Sequence, residues 1–257
     1  MATLVSPTTI PVQPREKLWR FRLPALLVTL VMGLTGGHNL VTGWSDPLDG
    51  GIHRVQDLHW GVAEGLFLAM AMGLQLRHPT RHPGAMRVAV LAMIGQLVVA
   101  LATANPDPFG IALFVLVALA TIAHPARRQV LRPTVEVDNW RLALAAPTAV
   151  ALGVFAAVQV TDHWQAVPGD LLVARTGYIG AAISCLGVAL ICVAAAVTAS
   201  RVTTMFASVG LGILGVASLL HPHLASSFGA VGGILAVIAA AATAAIDLRT
   251  GKRAAGS

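Results

Sequence analysis

The basic residues of this chain crowd into alternate loops between apolar runs, and that alternation constrains the fold more tightly than any motif. Eight mostly apolar stretches are separated by short polar segments. The N-terminal segment carries Arg15, Lys17, Arg20 and Arg22, and the 77–87 loop (RHPTRHPGAMR) carries Arg77, Arg81 and Arg87. Segment 126–141 adds Arg127, Arg128, Arg132 and Arg141, the 200–201 turn Arg201, and the tail Arg249, Lys252 and Arg253. The intervening loops are poor in cations. Loop 44–57 (WSDPLDGGIHRVQD) has Arg54, loop 162–175 has Arg175, and the 105–108 (NPDP) and 221–227 (HPHLASS) turns have neither Lys nor Arg. Thus 15 of the 17 basic residues fall on one side. A bilayer that sorts positive charge to its cytoplasmic face produces this pattern directly. The expected fold is an all-α, polytopic membrane bundle of eight transmembrane helices with both termini cytoplasmic.

The expected organisation is a cytoplasmic tail over 1–22 and a first four-helix half over 23–125, with spans near 23–43, 58–76, 86–104 and 109–125. A cytoplasmic linker over 126–141 follows, then a second half over 142–246, with spans near 142–161, 176–199, 202–220 and 228–246, and a tail over 247–257. The first run follows basic residues as a signal peptide would, but it lacks a small-x-small cleavage site, so it reads as a retained span. Residues 1–14 read as a disordered tail.

With 56% hydrophobic and 11% charged residues in 257, a soluble domain is excluded. The net charge of +6 sits where it would face anionic headgroups, and no aromatic-plus-basic stripe accompanies it, so the expected partner is the lipid bilayer and not nucleic acid. Fifteen arginines against two lysines, with abundant Ala, Val and Gly, suggest a GC-rich bacterial genome and hence a bacterial plasma membrane. Cys185 and Cys192 share one apolar run at heptad spacing, where they cannot form a disulfide and read as small hydrophobes.

The two halves resemble each other. WRFRLPALL at 19–27 and WRLALAAPT at 140–148 both open a span with Trp-Arg and a following proline. Trp44 and Trp164 close those spans, and Arg87-Val88 and Arg201-Val202 each introduce a third span. Asn105-Pro106 and His221-Pro222 are each followed shortly by Phe-Gly. Four spans per half would make this a parallel duplication. The competing explanation is that Trp, Arg and Pro recur at membrane boundaries for interfacial reasons.

Six of the nine histidines fall at or near the face opposite the arginines: His38, His53, His59, His163, His221 and His223. Asp57, Glu64, Asp162 and Asp170 accompany them. If a helix begins near His53, then His53, Asp57, Trp60 and Glu64 share a face while His59 points elsewhere. Glu64 then lies inside the hydrocarbon border, where a carboxylate needs a metal, a histidine or an arginine, or stays protonated. Imidazole with carboxylate suits Zn, Cu or haem iron. A metal or haem site from His38, His53, His59, Glu64, His221 and His223, supported by Asp57, Trp60, Asp162 and His163, requires spans 1, 2 and 7 to meet. The plain alternative is that each histidine is an interfacial hydrogen-bonding residue. His78, His82 and His124, each before a proline and near arginine, read as helix stops in basic turns.

No GxSxG elbow, phosphate loop, dinucleotide fingerprint or HExxH helix occurs, and no intramembrane lysine is available for a Schiff base. Gln96, Gln159, Asn39, Thr35, Thr103 and Ser184 are the remaining polar groups in or near spans. Two parallel four-helix halves with outward histidines resemble the haem A synthases in architecture. Their EGxxHR helix motif is not reproduced, because Glu64 follows His59 in HWGVAEG, and the second half's helices lack paired histidines. No catalytic residue or reaction is named by the sequence. Three readings stand: a metal or haem protein, a transporter or permease for a small or lipidic molecule, and a non-catalytic accessory subunit with a membrane-protein partner or a second copy of itself.

Overall fold

The computed structural model describes residues 15–45, 53–105, 107–166 and 173–255. Expectations for residues 1–14, for Asp46 and Asp49 in the 44–57 loop, for Pro106 and for Asp170 lie outside the described residues. Among the described residues there is no strand. The long helices are α1 (Arg15–Ser45), α2 (residues 54–77), α3 (Pro83–Ala102), α4 (Pro108–Ala123), α5 (Asn139–Gln165), α6 (Val173–Thr198), α7 (Arg201–Leu220) and α8 (Gly229–Ala255). Six stretches are long and apolar enough to cross a membrane: Leu18–Ser45, Pro83–Ala102, Asn139–Gln165, Gly177–Thr198, Arg201–Leu220 and Gly229–Leu248. Pro108–Ala123 is a shorter apolar helix. These helices fit an integral membrane protein.

Local chemistry accounts for three of the helix starts. Asp107 caps α4 by accepting from the Phe109 and Gly110 amides, with Pro108 in the first turn, where its missing N–H costs nothing. Asp138 caps α5 through Trp140 and Arg141, and Ser200 caps α7 through Thr203. The helices overrun the apolar runs at both termini. α1 starts at Arg15 rather than near residue 23, because Arg, Glu, Lys and Leu are good helix formers that continue the helix into polar surroundings. α8 likewise continues to Ala255.

α2 is unusual. It begins as α-helix over Arg54–Trp60, winds as π-helix over Gly61–Met70, and returns to α-helix over Ala71–Arg77. Gly61 and Gly65 of this stretch lie directly against α1. A Cβ on Gly61 would stand 2.7 Å from the Leu40 side chain, and one on Gly65 would stand 3.0 Å from the Gly36 backbone.

α2, α3, α6 and α7 form the centre, with α1 packed along α2, α5 along α6, and α8 along α7. Small residues set these approaches. Gly95 on α3 faces Gly187 on α6, Phe67 on α2 lies across Gly187 and Gly210, and Gly215 on α7 faces Ala236 and Val237 on α8. Phe21, Met32, Phe67, Met86, Ile191 and Phe206 are buried, whereas Leu34, Val150 and Val231 on the flanking helices point outward.

One end of the bundle is tied by charge. Arg141, only 5% exposed, donates to Asp247 on α8 at 2.9 Å and stands 3.5 Å from Asp138. Arg201 approaches the other Asp247 oxygen at 3.4 Å but is 65% exposed. Arg87 donates to the Gln129 carbonyl at 2.9 Å and the Thr198 hydroxyl at 3.1 Å, joining α3 to the 127–131 turn and α6. Solvated pairs contribute little, so Arg201→Ala is expected to cost less than about 1 kcal/mol while Arg141 holds Asp247. Thermal unfolding in detergent checks this, and a larger loss would mean that Arg201 carries the clasp.

His124 is more than a helix stop at this same end. Its Nε2 bonds Gln75 Oε1 at 2.9 Å, its Nδ1 accepts from the Ala126 amide at 3.1 Å, and Gln75 donates to the His82 carbonyl at 2.6 Å. Phe21 meets the His124 ring edge-on at 5.0 Å. These contacts lock α1, α2 and two turns together, which the basic-turn expectation did not foresee.

Candidate functional site

At the opposite end, the histidines and acids expected to share a site are divided between two faces of α2. α1 and α7 both touch α2, but they lie on different sides of it. Asp57 and Glu64 turn toward α1: Thr42 donates to Asp57 at 3.2 Å, and Thr35 donates to Glu64 Oε2 at 2.8 Å. Trp60 instead lies over Gly180 of α6, where a Cβ would stand 2.6 Å from its indole nitrogen. The expected single face of His53, Asp57, Trp60 and Glu64 is therefore split. The cause is the position of α2 between two neighbours, since Asp57 and Trp60 already part within the regular helix before Gly61.

His59 faces α6 and the loop before α8. Its Nε2 lies 3.0 Å from the Ser226 carbonyl oxygen, and its Nδ1 bonds the Ser184 hydroxyl. A carbonyl only accepts, so Nε2 carries the proton in that bond, and Nδ1 pairs with the Ser184 hydroxyl. Ser226 adopts φ +64 to present that carbonyl, a left-handed conformation uncommon outside glycine. Phe228 meets the His59 ring edge-on at 6.0 Å and Phe155 of α5 at 4.7 Å. His59 thus joins α2, α6 and the 221–228 loop, and both ring nitrogens are bonded within the protein.

The remaining members are dispersed. His38 and His223 are exposed, and His53 Nδ1 bonds Gln56 at 3.3 Å. His221 caps the end of α7; partial burial and the nearby Arg54 guanidinium hold its imidazole below the ordinary value. Asp162 accepts weakly from Gln159 at 3.5 Å, and His163 is buried edge-on to Trp164 at 5.7 Å. Among the described residues, no three His, Cys, Asp or Glu side chains gather where they could hold a metal ion.

A cavity of about 930 Å³ occupies the same end of the bundle, between α3, α4 and α6, with Trp60 of α2 in its wall. Met93, Ile179 and Ile183 form its apolar depth, with Leu97, Ile111 and Phe114 nearer its opening. Thr103, Asn105 and Asp107 lie at the α3–α4 turn, and Gln96 sits lower on α3. Leu101 is 74% exposed and Ile111 56%, so the cavity opens through the side of the bundle. Its origin is a difference in helix packing. α8 seats Gly233 and Ala236 against Gly215 of α7, while α4 leans on α1 and stands off α3 behind the bulk of Leu97, Leu101, Ile111 and Phe114. The sequence carries one pointer to this space, the amide Gln96 in an otherwise apolar stretch.

No family model, curated protein or solved structure matches the chain.

Proposed function

We propose that this chain takes a membrane-dissolved amphiphile into the side pocket between α3 and α4, a transporter or permease role for a lipidic molecule. The cavity carries the proposal. Its volume is in the range of small-molecule sites, its depth is apolar, its polar groups lie near one end, and its opening faces where lipid would lie. The metal or haem reading has less support, because His59 is fully bonded within the protein and Glu64 faces the other neighbour of α2.

The proposed setting is a bacterial plasma membrane crossed eight times, with both termini cytoplasmic. Support comes from residues 54–77, helical without a break, and from α4, in addition to the six longer apolar helices. The clustering of Arg87, Arg141 and Arg201 at one end agrees with a cytoplasmic location for that end. A parallel duplication is supported by packing that survives exchange of the halves: α1 lies on α2 as α5 lies on α6, and α2 meets α7 as α6 meets α3. The fourth helix of each half departs from that symmetry, and the pocket occupies the departure.

Ala100 lines the pocket, so Ala100→Trp would fill it. Protein purified in nanodiscs and extracted with organic solvent is expected to yield a lipid species enriched over the surrounding bilayer, depleted in the variant. Identical lipid profiles for the two proteins would reject the proposal.

A further inference from the structure

We infer that the pocket selects an amphiphile with an uncharged, hydrogen-bonding head, such as a glyceride or a quinone-like ring, over a phospholipid. The inference rests on the pocket reading above and concerns what the pocket accepts. Among the described residues no Lys, Arg or His lines the pocket, so none of them would neutralise a phosphate. In the lining, the charged one among the described residues is Asp107, whose negative charge repels an anionic head. Both its oxygens already accept backbone amides, Phe109 at 3.3 Å and Gly110 at 2.9 Å. As the cap of α4 that carboxylate is partly compensated by the helix amides, which weakens its pull on a cationic head as well as its push on an anionic one.

Gln96 supplies the remaining recognition. Among the described residues its amide makes no hydrogen bond, although it stands in an apolar wall beside Met93, Leu97 and Phe114. It lies about 9 Å along α3 from the helix end at Ala102, at ~1.5 Å per residue. A free amide at that depth favours a ligand that brings a carbonyl or hydroxyl to it. Gly110 of α4 leaves the amide its room, since a Cβ there would stand 2.9 Å from Gln96 Nε2. Asp107 Oδ2 lies 3.7 Å from the same Cβ position, so the amide and the cap of α4 share one polar corner of the pocket.

The test uses the full chain in nanodiscs with three photoactivatable probes sharing one acyl chain: a monoacylglycerol, the corresponding lysophosphatidate, and the corresponding long-chain amine. The monoacylglycerol is expected to label peptides of α3 and α4 saturably, with little labelling by the other two. Gln96→Leu, nearly the same size in an apolar wall, should weaken that labelling about fivefold, the loss of one hydrogen bond. Gly110→Ala should weaken it similarly by displacing the amide, with Gln96 still present. Equal or stronger labelling by the phosphate or amine probe would overturn the head-group inference and leave the pocket standing. Unchanged labelling in both variants would remove Gln96 from recognition. Absence of pocket labelling by every probe, from variants and parent that melt alike, would overturn the pocket reading itself.

Discussion

Gly36→Val is expected to abolish recovery of folded protein from the membrane, whereas Gly37→Ala, one residue further along α1, leaves recovery unchanged. A Cβ on Gly36 would lie 2.2 Å from the Gly65 nitrogen, 2.7 Å from its Cα and 2.8 Å from the Glu64 carbonyl carbon. All three are backbone atoms of the π-wound stretch of α2, so no side-chain rotation relieves the clash. Overfilling a core usually costs about 1–3 kcal/mol, through side chains that give way; here the whole of α1 must move outward. That movement also breaks the Thr35–Glu64 hydrogen bond and leaves a carboxyl in apolar surroundings without its donor. Gly37 has nothing within 4 Å of its would-be Cβ, and alanine there adds helix propensity. Size-exclusion profiles and thermal unfolding in detergent check the pair. Gly36→Ala is the milder form of the same test, and a melting temperature within about 2 °C of the parent would refute the proposed α1–α2 contact.

The Gly36–Gly37 pair also marks how far the sequence can be read. Spacing of cations and apolar runs is a property of the chain against a bilayer, so helices appear close to every expected span, and caps such as Asp107, Asp138 and Ser200 mark their starts. Which of two adjacent glycines meets another backbone depends on how α1 crosses α2, and no local pattern records that crossing. Asp57 and Glu64, seven residues apart, both turn to α1, while Trp60, three residues after Asp57 in the regular helical stretch, lies on α6, and which neighbour each one meets is set by how the helices pack. His124 shows the same limit: Pro and Arg beside it suggest a solvated turn, yet Gln75 and Phe21, distant in sequence, enclose it. The pocket exists because α4 stands away from α3, and a gap between helices leaves no mark on either except for the amide it exposes, Gln96.

His59→Leu is expected to destabilise the protein by about 2–4 kcal/mol, and His59→Gln by clearly less. Leucine removes the ring N–H that the Ser226 carbonyl accepts at 3.0 Å, orphaning a buried acceptor that is held in place by a left-handed backbone. Ser184 loses less, because its hydroxyl can turn to the Ala181 carbonyl 3.1 Å away. The edge-on contact with Phe228 is lost as well, and with it the support that Phe228 gives Phe155 of α5. Glutamine can reach the same carbonyl with its own N–H donor, so most of the loss should be recovered if His59 acts as a strut between α2, α6 and the 221–228 loop. Thermal unfolding of the two variants, read beside metal content, separates that role from ligation. A ligand histidine would lose its metal in both variants alike, whereas a strut gives graded melting temperatures and a metal content that does not change. Equal destabilisation by Leu and Gln would therefore count against the hydrogen-bonding role assigned to His59.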